Sequence, residues 1–126
     1  MAAAVTTVLL GAGTQAHAAP PSNVGWLYTQ GRSGAVFFDA DLNGYPSQEK
    51  ITVCDNKTDG RGILGVALGR DGAGNPSRQT VRDPSNDGNC AANWGHFFRE
   101  GYVVQVEVCE YWGDNEENCA WADGVS

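Results

Sequence analysis

The stretch YVVQVEVCEYW, residues 102–112, decides the fold. Val104, Val106 and Val108 alternate with Gln105, Glu107 and Cys109. A period of two puts the valines on one face of a β-strand and the polar residues with the cysteine on the other. Shorter runs of the same kind recur between clusters of Gly, Asn, Asp and Pro. They place further strands at 25–30, 34–38, 50–55, 63–69, 78–82, 91–98 and 119–122. ITVCD (51–55) repeats the order of VEVCE (106–110): apolar residues flank a polar one, then a cysteine and an acid follow. The connections DNKTDGRG, GRDGAGNPS, DPSNDGN and YWGDNEEN are rich in residues that accept positive φ or bond their own backbone. The expected fold is all-β: a small disulfide-stabilised two-sheet β-sandwich of seven or eight strands.

Upstream of the strands the composition changes. Residues 1–18 contain no charged side chain, carry an apolar run from Ala2 to Leu10, and end in Ala16-His17-Ala18. That is an A-x-A exit, so the segment reads as a secretory signal peptide. It lacks the basic n-region with which such signals begin, which points to a start codon upstream of Met1 or to an internal methionine. Gly11, Gly13, Thr14 and Gln15 interrupt the apolar part, which falls short of the roughly 20 residues of a membrane span. Membrane insertion is therefore not expected. Residues 19–24 open with Ala19, Pro20, Pro21, Ser22 and Asn23, an extended flexible tail free to be donated to a partner. Residues 25–126 then form a single β-sandwich domain.

All four cysteines, Cys54, Cys90, Cys109 and Cys119, follow the signal. Export to an oxidising compartment makes two disulfides the expectation. Neighbouring closures cost the chain least entropy, which favours Cys54–Cys90 and Cys109–Cys119. A zinc site fits less well, because no spacing is C-x2-C and His96 is out of register with any cysteine pair. The net charge is −7, and the basic residues are scattered. Phosphate backbones and acidic bilayers are repelled by such a surface, so nucleic acid is not an expected partner.

Few residues carry recognisable chemistry. Asp39, Asp41 and Asn43 precede Gly44 with the alternation of a calcium loop, but Lys50 stands where the pattern requires a bidentate glutamate. The favoured reading is a hairpin turn, with these three as weak calcium candidates and no metal favoured. Asn56-Lys57-Thr58 is a sequon and reads as a plain loop. His96 has no nucleophile or metal motif around it and reads as structural, and Asp114 with Glu116 reads as a solvated acidic turn. No catalytic residue and no cofactor are expected. Aromatic residues are plentiful, and Trp94 and Trp112 lie near turns where they can anchor a partner.

The stretches GAVFFDADLNGYPSQEKITVCDNK, DPSNDGNC and VEVCEYWGDNEENC, with the A-x-A exit and two cysteine pairs, resemble small exported proteins of streptomycetes and related actinobacteria. Within that group the chain resembles the small adapter subunit of umbrella-shaped toxin particles. The resemblance implies a compact β-domain that joins a lectin subunit to a repeat-bearing stalk, with residues 19–23 entering a partner. The expected function is a secreted, extracellular, non-catalytic protein-binding or adapter module with other secreted proteins as partners. Two alternatives stand beside it: an enzyme inhibitor using a disulfide-held loop over 112–118, and a calcium-dependent carbohydrate-binding domain built on Asp39, Asp41 and Asn43.

Overall fold

A computed structural model describes residues 19–42 and 47–126. Residues 1–18, expected to be a signal peptide, and Asn43 lie outside the described residues. Among the described residues eight strands follow in order: β1 (Val24–Tyr28), β2 (Gly34–Asp39), β3 (Glu49–Asp55), β4 (Gly62–Arg70), β5 (Pro76–Asp83), β6 (Ala91–Gly95), β7 (Val103–Trp112) and β8 (Asn115–Val125). They form two four-stranded antiparallel sheets, ordered β1-β2-β3-β6 and β5-β4-β7-β8. β7 returns to lie beside β4 rather than beside its predecessor, and the chain crosses between sheets after β3, β5 and β6. This is a Greek-key sandwich, and the all-β, two-sheet expectation holds.

The alternation read in residues 102–112 is the one that builds the core. Val104, Val106 and Val108 are fully buried and face Val36, Phe38, Ile51 and Val53 of the other sheet. Burying each such side chain stabilises the fold by about 1.5–3 kcal/mol. The sheets approach closely at Gly34 and Gly65, where an added Cβ would lie 2.2 Å from Ile63 Cγ1 and 2.5 Å from Val53 Cγ2 of the opposite sheet. Both disulfides pair as expected, Cys54 with Cys90 and Cys109 with Cys119.

Several strand boundaries differ from expectation by one to four residues, and two of the differences have a clear physical cause. β6 stops at Gly95 rather than 98, because the buried Glu49 carboxylate captures the next backbone: its Oε1 accepts the N–H groups of Phe97 at 3.1 Å and Phe98 at 2.6 Å. Phe98 then turns into the core, edge-on to Phe38. β8 begins at Asn115, four residues before the expected 119. Trp112 pairs with Asn115 across a two-residue turn, so the polar run Asn115–Asn118 is held by the ladder of β7 rather than by its own propensity. The register skips between Val108 and Glu110, and Asn118, at φ 55°, supplies the extra residue of a β-bulge beside Cys109–Cys119.

The segment expected to be a flexible tail is extended and also bonded. Ser22 exchanges two backbone hydrogen bonds of 2.9 Å with Val125, and Ala19 N–H donates to Gly101 O at 3.2 Å. Asn23 Oδ1 accepts the N–H of Ala40 at 2.7 Å. At the opposite end of the molecule Gln30 N–H donates to Asn118 O. The β1 and β8 edges are thus fastened together at both ends, and that side of the sandwich is closed.

Candidate functional site

Outward-facing residues of the first sheet are set by the register. Phe37 pairs with Thr52, which pairs with Ala92; Asp39 pairs with Lys50, which pairs with Trp94. Directly opposed residues share a face. Trp26, in the irregular stretch of β1 between Val24 and Leu27, packs edge-on against Phe37 with ring centroids 5.4 Å apart. Trp26 is 47% and Trp94 60% exposed. Beside Trp26 a hollow of about 200 Å³ is lined by Trp26, Tyr28, Ala35, Cys54 and Asn56. The result is a broad aromatic face on the outside of one sheet.

The second sheet carries another. Trp121 pairs with Glu107 and Val103 with Val125, and both Trp121 and Val103 are more than half exposed. Ala120 and Ala122 flank Trp121 and pack against the core, so the small residues point in and the tryptophan points out. A groove of about 410 Å³ runs along this side, lined by Leu68, Pro76, Arg78, Val103 and Gln105 among others.

The end of the sandwich near the β7–β8 turn is polar instead. A hollow of about 550 Å³ lies among Gln30, Gly31, Lys57, Asp59, Arg61, Glu110 and Asn118. Glu110 receives Ser33 Oγ–H at 2.6 Å, Arg61 Nη1 at 2.8 Å and Asn118 Nδ2 at 3.2 Å. Burial alone would raise its pKa, but these hydrogen bonds and the Arg61 charge outweigh burial and lower it. It is a structural carboxylate that ties the β1–β2 turn to the β8 bulge. Trp112 is not a free anchor: the Arg61 guanidinium stacks over its ring, 4.0 Å from the centroid. Nearby, burial raises the pKa of Asp55, whose Oδ2 has no hydrogen-bond partner among the described residues.

The remaining sequence candidates are distributed elsewhere. Asp39 Oδ1 accepts the N–H of Asp41, and Asp41 Oδ1 accepts that of Ser47. Each carboxylate thus satisfies a backbone N–H close to it in the chain. Among the described residues the metal-ligand types that converge are Glu107, Cys109 and Cys119, and the two sulfurs are joined as a disulfide rather than free as thiolates. His96 Nδ1 lies 2.8 Å from the carbonyl of Ser47 and is exposed. The segment 112–118 is the tip of the β7–β8 hairpin, turning at Gly113-Asp114, and Asp114, Glu116 and Glu117 are exposed on it. Residues 19–23, Trp94 and Trp112 therefore do not form one site: the tail fastens β8, Trp94 belongs to an aromatic face, and Trp112 supports the polar end. Trp26 and Trp121 complete the aromatic faces and were not singled out from sequence. Compared with known proteins, the chain matches no family model, no curated protein and no solved structure.

Proposed function

We propose that this chain is a secreted, non-catalytic adapter that holds two different proteins, one on the outside of each sheet. The observation that carries this reading is the pair of exposed aromatic surfaces on opposite faces, Trp26 with Phe37 and Trp94 on one and Trp121 with Val103 on the other. Exposed tryptophans are characteristic anchors of protein interfaces, and two surfaces separated by a rigid core suit a joint rather than an inhibitor. A non-catalytic role is supported by the chemistry at the polar end, where Glu110 is committed to three donors. Two intramolecular disulfides fit an oxidising, extracellular environment. By the resemblance to the adapter of umbrella toxin particles, the two partners are a lectin subunit and a stalk subunit.

Affinity purification of the chain from its own culture supernatant, followed by mass spectrometry, tests this. Two distinct secreted proteins are expected, one lost on Trp26→Ala and the other on Trp121→Ala, with unchanged melting temperature for both variants. Recovery of a single enzyme whose activity the chain blocks supports inhibition instead. Retention on a polysaccharide lost in Trp26→Ala supports the carbohydrate-binding alternative.

A further inference from the structure

The four sheet edges are not equally protected. β1 and β8 are fastened to each other through Ser22–Val125 and Gln30–Asn118. β5 carries Pro76, Arg78 and Arg82, the proline and charges that discourage strand addition. Among the described residues β6 pairs with β3 on one side alone, and it reads Ala91-Ala92-Asn93-Trp94-Gly95, with no charge and no proline. Its three central residues are exposed. An uncharged, unpaired strand with alternate N–H and C=O groups directed outward is a template for another strand.

We propose that β6 is a self-pairing edge through which two copies of this chain join, antiparallel about a twofold axis at Asn93, into one continuous eight-stranded sheet. Antiparallel register about Asn93 sets Trp94 of one copy against Ala92 of the other, and Ala91 against Gly95. The largest side chain of the strand thus covers one of its smallest, on the same outer face, and the aromatic faces of the two copies become continuous. No charge is opposed within the strand itself, whereas self-pairing of β5 would confront arginines. The net charge of −7 on each copy opposes association, so the dimer is weak and strengthens as salt screens that repulsion. This inference is independent of which proteins bind the two faces.

Sedimentation equilibrium of the mature chain from micromolar to millimolar concentration tests it. A reversible monomer–dimer equilibrium that tightens with added salt is expected. Asn93→Lys and Asn93→Glu should each be monomeric alone, because like charges then meet at the axis, and an equimolar mixture should dimerise again. Near-UV circular dichroism shows that each variant is folded, and Ala92→Glu provides a second edge substitution on the outer face. A wild-type chain that stays monomeric throughout, a dimer indifferent to residues 92 and 93, or a mixture that does not dimerise overturns the proposal.

Discussion

Glu49 has no exposed surface, and one of its oxygens, Oε2, has no hydrogen-bond partner among the described residues. Burial is the main cause that raises its pKa from 4.5 to about 7, opposed by the two backbone N–H groups it accepts and by His96, and assisted by Glu100. The fold therefore favours the protonated form. Its contribution to stability is fully present below the unfolded value of 4.5 and is lost as pH rises through 7. The full difference corresponds to about 3 kcal/mol. Urea denaturation should give a falling midpoint between pH 5 and pH 8, and Glu49→Gln should flatten that fall while keeping an oxygen for Phe97 and Phe98. An equally steep fall in the variant would remove Glu49 as its source. Glu110 acts with the opposite sign, since its lowered pKa favours the fold above the ordinary carboxylate range. Neither role was legible in the sequence, because a glutamate at a strand end is silent about which loop will close over it.

At the scale of elements, alternation made strands legible and contacts decided where they end. β7 was readable because its valines carry the period unaided. The first turn of β8 was not, since Asn115, Glu116, Glu117 and Asn118 have no apolar alternation and pair only because β7 is already in place. The disulfides were readable because the two nearest pairings are also the two that neighbouring strands can close. The tail reversed its expected behaviour: Pro20 and Pro21 do impose an extended chain, but Ser22 and Asn23 find partners in Val125 and Ala40. Removing residues 19–23 should therefore lower stability by about 1–3 kcal/mol, as the loss of a few hydrogen bonds predicts. Asn23→Ala alone should account for about 1 kcal/mol of it. Chemical denaturation of the truncated chain checks this, and an unchanged midpoint would show the bonds contribute nothing in solution.

Over the whole molecule, tryptophan content suggested a binding protein, but the sequence pointed to Trp94 and Trp112 for their nearness to turns. Proximity to a turn found Trp94 but misled at Trp112, which Arg61 covers, and it missed Trp121, which stands out in the middle of β8. The usable signal was Ala120-Trp121-Ala122, in which two small residues must face the close-packed core and so force the tryptophan outward.

A domain this small with an exposed aromatic face on each sheet leaves much of its apolar surface outside the core, and the disulfides compensate. Cys54–Cys90 spans 36 residues and Cys109–Cys119 spans 10, and closing such loops constrains the unfolded chain by about 4 and about 3 kcal/mol. Typical domains are stable by about 5–15 kcal/mol in total. Reduction of both bonds is expected to leave the chain largely unfolded at physiological temperature, with loss of the near-UV signal of its tryptophans. Replacing Cys109 and Cys119 by alanine should be the milder change, because the β7–β8 hairpin that they close is already held by nine paired positions of its ladder. Replacing Cys54 and Cys90 should cost more, since that bond closes the longer loop and anchors the start of β6 to β3. Thermal melts of the two double variants decide the order, and the reverse order would place the stabilising effect in the hairpin rather than in loop closure.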